Sequence, residues 1–134
     1  MMSALIVFVL DEREFGIDIS LVRGIERVVR ITRLPRSRGR LDGIINLRGQ
    51  LLPILDLRAR FGLGRVAASK ASRIIVAERG GLRVGIVVDA VSEVIRVASE
   101  QIEQGAETIE VGRRRIELLD VAEVFGPALA KDRT

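Results

Sequence analysis

The residues able to do chemistry in this chain are few, and their types and spacing dispose of most reactions. The carboxylate pairs Asp11/Glu12, Glu100/Glu103 and Glu107/Glu110 have the groups general acid–base work needs. Each falls in a turn-like stretch, where a solvated side chain is the rule. No serine has a base to activate it. The 134-residue chain lacks histidine, and its two lysines, Lys70 and Lys131, sit in segments that read as exposed. Cysteine is absent as well, which removes thiolate chemistry, disulfides and the usual zinc ligand sets. Gly62-Leu63-Gly64 and Gly80-Gly81 match no phosphate-cradling loop and open no long helix. No Asp-rich loop has the spacing of an oxygen-ligand metal site. What is left is a binding module: not an enzyme, with no cofactor and no small-molecule substrate.

Its most informative stretch runs from Asp42 to Leu57, DGIINLRGQLLPILDL. A glycine-hinged strand leads into an Arg48-Gly49 turn, and a second strand carrying Pro53 follows. An arginine at such a turn is placed to dock a carboxylate in bidentate fashion, beside apolar surface that supplies contact area. The competing reading is a surface arginine that stabilises its own hairpin.

Charge is the second signal. Twenty arginines against two lysines carry nearly all the positive charge, and the net +4 conceals an asymmetry. Residues 23–85 hold fifteen cations and four anions, hence +11, and the rest of the chain holds seven and fourteen, hence −7. Arg23, Arg27, Arg30, Arg33, Arg36, Arg38 and Arg40 form the densest group, opposed only by Glu26. Such a block attracts polyanions, so the alternative function is a basic β-barrel that binds nucleic acid through the Arg23–Arg40 cluster. Nucleic acid is the weaker expectation, because tryptophan and tyrosine stacking platforms are missing and these arginines alternate with apolar residues.

The elements that must position these residues are short and aliphatic. With 48% hydrophobic and 30% charged residues the chain folds, and Phe8, Phe15, Phe61 and Phe125 are its only aromatics. Ala4–Leu10 reads as a continuous buried strand, Asp11–Glu14 as a turn, and Phe15, Ile17 and Ile19 as one face of a half-buried strand. Ser20 is placed to cap a single helical turn ahead of Ile25, Val28 and Ile31, and Thr32 to Arg40 reads as a loop. Ile44–Leu47 and Leu51–Leu55 form a hairpin in which Pro53 marks an edge or a bulge. Asp56 caps a short helix ending near Gly62. Further strands follow at Arg73–Ala77, Val84–Val88, Val91–Val97, Ile109–Val111 and Ile116–Leu119, with a helical turn at Ser99–Ile102. A capping box at Asp120–Glu123 opens a last helix. Ten short strands with helical turns between them mean an all-β sandwich or barrel. The first ten residues lack the basic leader of a signal peptide, and Ala4–Leu10 is too short to span a membrane, so a cytoplasmic location is expected. Met1 stands directly before the first strand, as in a complete chain rather than a fragment of a larger kinase or receiver protein.

The list contains a repeat. A shift of 69 places Leu5-Ile6-Val7 on Ile74-Ile75-Val76, Gly16 on Gly85, Val22 on Val91, Ile25 on Val94 and Val28 on Val97. A shift of 64 places Leu55-Asp56-Leu57 on Leu119-Asp120-Val121 and Phe61-Gly62 on Phe125-Gly126. The difference of five residues is a shorter central loop in the second copy. The result is two similar small barrels, each too small to stand alone, packed on a shared aliphatic core. The expected division is one domain over 1–134, with subdomain 1 about 15–72 and subdomain 2 about 1–14 plus 73–134.

The Asn46-Leu47-Arg48-Gly49 strand end, with Pro53 and Asp56 downstream, resembles the signature of the CheW-like coupling proteins of bacterial chemotaxis. So do Val22-Arg23-Gly24-Ile25, Leu34-Pro35, Val84 to Val91 and Leu118-Leu119-Asp120-Val121. The resemblance implies two five-stranded SH3-like barrels and a non-catalytic adaptor or scaffold. Its partners would be the cytoplasmic tips of methyl-accepting chemoreceptors and the regulatory domain of a CheA-type histidine kinase. Through these partners the chain would reach membrane receptor arrays. Carried over by position, Val22, Ile25, Gly43, Asn46, Leu47, Arg48, Gly49, Asp89 and Val91 are the implied interface residues. Gly24 departs from the pattern, standing where many relatives carry a glutamate. The charge split adds a further expectation, head-to-tail self-association of a basic barrel with an acidic one.

Overall fold

The computed structural model describes residues 1–33, 42–64, 66–120, 122 and 124–126. Strands β1 (Met2–Leu10) and β2 (Arg13–Asp18) form a hairpin, and a single 3-10 turn at Ile19–Leu21 leads into β3 (Val22–Arg27). Then come β4 (Thr32–Arg33), β5 (Gly43–Leu47), β6 (Gln50–Asp56) and the short helix α1 (Leu57–Arg60). The second half holds β7 (Arg73–Arg79), β8 (Leu82–Val88), β9 (Ala90–Ala98), α2 (Ser99–Glu103), β10 (Thr108–Val111) and β11 (Arg114–Leu118). Residues 124–126 are helical. The all-β class and the short helices at Asp56 and Ser99 are as expected, with Asp56 accepting a hydrogen bond from the Arg58 amide at 3.0 Å.

Three local expectations are corrected. Asp18, not Ser20, caps the 3-10 turn, accepting from the Ser20 amide at 3.0 Å. The residues after that turn extend at once into β3, because valine and isoleucine there can pair along β7. Thr32–Arg33 adds a two-residue strand within the stretch read as a loop. The remainder of that loop, including Leu34, Pro35, Arg36, Arg38 and Arg40, lies outside the described residues, as do Val121 and Glu123 of the capping box and Lys131. β6 is also not an edge strand, since it runs between β5 and β8. Its parallel ladder with β8 begins only at Ile54, so Pro53 meets β5 alone.

The strands form two curled sheets, β10-β11-β2-β1-β9 and β3-β7-β8-β6-β5-β4. These are the two SH3-like barrels. β1 shows why each is stable only in company: Leu5 enters the small interior of its own barrel with Val97 and Ile109, while Ile6, Phe8 and Leu10 face the seam between barrels. β7 repeats the arrangement, with Ile74 and Val76 inside their barrel and Ile75 and Ala77 on the seam. The seam holds fourteen buried residues, against five and three in the barrel interiors, so most of the apolar driving force comes from joining the two. Phe8 and Phe15, register partners on β1 and β2, stack at 5.5 Å between centroids on the seam-facing side of their own barrel.

The repeat is present but interlocked, and the expected subdomain boundaries do not follow the sheets. One barrel draws on residues 2–18 and 90–118, the other on residues 22–88. The hairpins β1–β2 and β7–β8 close locally, whereas each third strand crosses over: β9 pairs with β1, and β3 with β7. Registers obey the repeat residue for residue. Ile6 faces Ile17 and Val94, as Ile75 faces Ile86 and Ile25. Both crossed pairs carry a bulge at equivalent places, between Val7 and Phe8 and between Val22 and Gly24. Leu118 meets Gly16 in the parallel ladder of one barrel, as Ile54 meets Gly85 in the other. A Cβ on Gly85 would sit 2.7 Å from Ile54 Cδ1, so these two glycines are where strands pass too closely for a side chain. The crossover also sharpens the charge split, since the described part of residues 23–85 falls within the second barrel.

Candidate functional site

The Arg48-Gly49 turn closes the β5–β6 hairpin, with Leu47 facing Gln50. Both corner residues have positive φ, 51° and 84°, the left-handed pair that matches the twist of a two-residue hairpin. Glycine takes such a φ freely, but arginine does so under strain. Asn46 supports the turn: its Oδ1 accepts from the Gly49 amide at 2.9 Å. The Arg48 side chain is 73% exposed and its Nη2 lies 3.1 and 3.2 Å from the two carboxylate oxygens of Glu26. The guanidinium is therefore presented to solvent but already engaged. It neither waits free for a partner's carboxylate nor stabilises its own hairpin; it clasps the opposite strand.

Glu26 lies on β3, so the clasp brings β3 beside the hairpin and closes the barrel there. Val22 and Ile25 share that strand, Val22 half-buried against the seam and Ile25 exposed. Leu51, opposite Asn46, is the most exposed leucine named in this face. Asn46, Leu47, Arg48 and Gly49 thus make the hairpin end that Glu26 clasps, whereas Ile25, next to Glu26 on β3, projects to the other side of that strand and Val22 packs on the seam. Glu26 joins them as a residue missed by motif reading, although it was the one acid inside the arginine-dense stretch. It sits two positions beyond Gly24, on the same side of the strand, with its Oε2 3.6 Å from where a Cβ on Gly24 would stand.

The other three implied interface residues lie elsewhere. Gly43 is buried, and a Cβ there would meet Ile31 Cγ2 at 2.5 Å and the Thr32 carbonyl oxygen at 2.8 Å. Its role is to let β4 approach β5. Val91 pairs with Phe8 and packs on the seam. Asp89 belongs to a joint between the barrels: its Oδ2 accepts from Arg58 Nη1 at 2.6 Å and from the Asp11 amide at 2.8 Å. Arg58 is buried, donates through Nη2 to Asp11 Oδ1 at 2.7 Å and through Nε to the Gly64 carbonyl at 2.6 Å. Burial alone would favour the neutral guanidinium. The hydrogen bond it donates to Asp11 and the charges of Asp89, Asp11 and Asp56 outweigh that, and its pKa is raised.

Of the basic cluster, Arg23 is held by Glu78 at 2.7 Å and Arg33 stands 3.8 Å from Asp56, which withdraws both from a continuous cationic face. Among the described residues no group of three or more acidic, cysteine or histidine side chains is placed to hold a metal ion.

Comparison with known proteins adds an independent line. The CheW-like domain model matches residues 4–121. The chemotaxis protein CheW of Klebsiella aerogenes is 39% identical over 90 residues, covering 67% of this chain and 54% of that protein. A probable chemotaxis protein CheW of Rhizobium etli is 41% identical over 93 residues, 69% of this chain and 60% of that protein. The chain thus spans about half to three-fifths of the length of these relatives. Among solved structures, the scaffolding protein TtCheW of Thermoanaerobacter tengcongensis superposes with a TM-score of 0.78 at 33% identity, covering 90% of this chain and 86% of that one.

Proposed function

The chain belongs to the CheW-like domain family, and from that premise we propose that it is a non-catalytic adaptor that couples chemoreceptors to a CheA-type histidine kinase in chemotaxis or motility signalling. The observation that carries this reading is the clasped turn. Arg48, strained and solvent-facing, is held against Glu26 at the tip of the hairpin that carries exposed Leu51. Strain at an exposed, polar-tipped turn next to apolar side chains marks a surface kept for contact rather than for stability.

Asn46, Leu47, Arg48 and Gly49 form the contact face in this reading, with Val22 and Ile25 on the neighbouring strand β3, while Gly43, Asp89 and Val91 hold the barrels that present it. One partner is the cytoplasmic tip of a methyl-accepting receptor and another the kinase's regulatory domain. Holding both at once raises local concentration and fixes geometry, with no bond made or broken. No helix among the described residues is long and apolar enough to cross a membrane; in this reading the receptor supplies the link to membrane arrays. The opposed charges of the barrels, +11 over residues 23–85 against −7 elsewhere, also favour head-to-tail association with the kinase domain or a second copy. Electrostatics then sets on-rate and register more than affinity.

The test is titration of the labelled chain with a receptor tip fragment and, separately, with the kinase regulatory domain, at several salt concentrations. Saturable binding to both, lost in Arg48→Glu, is the expected result. Binding to neither partner overturns the reading, and an association rate unchanged by salt overturns its electrostatic part.

A further inference from the structure

Away from the clasped turn, the far end of the β3–β7 pair carries an unbalanced group of cations. Arg27 and Arg73 are register partners, directly opposite each other at the end of the ladder. Directly opposed residues project to the same side of a sheet, where like charges are destabilising. Both line an open cleft of about 560 Å3 together with Val28, Ala68, Ser69, Lys70 and Ser72. No acidic residue is among these, and among the described residues no ion pair engages Arg27, Lys70 or Arg73. Glu26, the nearest acid in sequence, is committed to Arg48.

The cleft is also ordered. Arg73 Nη1 donates to the carbonyls of Lys70 and Ser72, each at 2.7 Å, which fixes the guanidinium and leaves its other N–H groups free. The buried Ser72 hydroxyl accepts from the Ser69 amide at 2.8 Å, and Ser69 Oγ accepts from the Ala71 amide at 3.1 Å. The two hydroxyl oxygens also stand 3.5 Å apart, so one hydroxyl donates to the other and the pair retains one proton to donate into the cleft. The fold does not require this arrangement. The repeat places Arg96 opposite Ala4 at the equivalent position of the other barrel, so there the second arginine is absent.

Three cations and one hydroxyl donor from the Ser69–Ser72 pair around one cleft, with no anion among its lining residues, match a multiply charged oxyanion. We propose that Arg27, Lys70 and Arg73, with Ser69 and Ser72, form a binding site for a phosphate-type dianion or diphosphate. A single carboxylate would leave two of the three charges unanswered, whereas a tetrahedral dianion uses the forked donors of both arginines. The cleft is wide enough for two linked phosphoryl groups. The site stands apart from the contact face and does not depend on the adaptor reading.

Calorimetric titration of the full chain with inorganic phosphate and with pyrophosphate, at constant ionic strength, tests it. Saturable binding, tighter for pyrophosphate, is expected. It should weaken by about tenfold in Arg27→Gln and again in Lys70→Gln, the loss of one charge-assisted contact each. Both replaced side chains are exposed, so folding is preserved, and a circular-dichroism melt verifies it. Arg96→Gln is the matched control and should bind as the parent does. Equal weakening in Arg96→Gln, or a response that follows ionic strength alone, overturns the site. An oligonucleotide that binds far more tightly than pyrophosphate, through arginines beyond the cleft, overturns it in favour of nucleic acid.

Discussion

Arg58 Nη1 lies 2.6 Å from Asp89 Oδ2, and this contact ties the helix after β6 to the corner where the chain crosses from one barrel to the other. The same guanidinium reaches Asp11 in the β1–β2 turn. Three segments far apart in sequence thus meet on one buried cation. The repeat gives no counterpart: Ala122 stands at the position equivalent to Arg58.

Arg58→Ala should therefore destabilise the chain by about 2–3 kcal/mol, since it leaves Asp11 and Asp89 facing one another without the cation that pairs them. Asp11→Asn, at a half-exposed partner, should cost well under half as much. Urea denaturation at neutral pH measures both. Equal small losses would show that the seam alone joins the barrels.

The close strand passages make a second, graded prediction. Gly85→Ala forces a methyl against Ile54, Ile74 and Leu52 and should cost about 1–3 kcal/mol as overpacking. Gly16→Ala has looser surroundings, 3.0 Å at nearest, and should cost less. Gly43→Ala meets a backbone oxygen as well as Ile31 and should cost most. Thermal melts of the three variants give the order.

The clasp separates binding from stability. Arg48→Gly removes a strained φ and an exposed ion pair together, two effects of roughly 1 kcal/mol or less with opposite sign. Its melting temperature should stay near that of the parent while partner binding falls. The exchange variant Glu26→Arg with Arg48→Glu should restore the ion pair but not the binding. A large loss of stability in Arg48→Gly would make the turn structural.

Stability should be flat with pH over a wide range and fall only in acid. Histidine, cysteine and tyrosine are absent, so melting temperature should vary by about 2 °C or less from pH 6 to 9. Glu78 is held below the ordinary carboxylate range by hydrogen bonds from Arg23 and Arg83, and Glu117 by its hydrogen bond from Arg13. A carboxylate depressed in the folded state stabilises above its unfolded pKa, and that contribution is lost as pH drops below about 4.3 and through the folded value. Raised arginines such as Arg13 and Arg114 contribute unchanged across the working range and lose that contribution only far above it. Melts in steps of pH locate the fall. Glu117→Gln should lessen its steepness.

The strands, the duplicated order and the Arg48-Gly49 corner were legible in the sequence, because each rests on short-range physics. Apolar alternation, glycine at turns and side-chain caps act within a few residues, as the Asp56 cap and the Gly16/Gly85 equivalence show. The family motif around Asn46 to Leu57 lies within the same short reach. The crossing of β3 and β9 between barrels is not of that kind. Ile25 suits β7 and its own copy's β1 alike in composition, and only the assembled seam selects β7. Partner choice among charges is likewise a matter of distance in space. Glu26 finds Arg48 across 22 residues, Arg58 finds Asp89 across 31, and Arg13 finds Glu117 across 104. Composition and residue order alone determined an aliphatic, histidine-free chain with a duplicated order of strands. Which arginines are committed and which are left facing a cleft was decided by tertiary packing, since a guanidinium takes whichever carboxylate the folded backbone brings within reach.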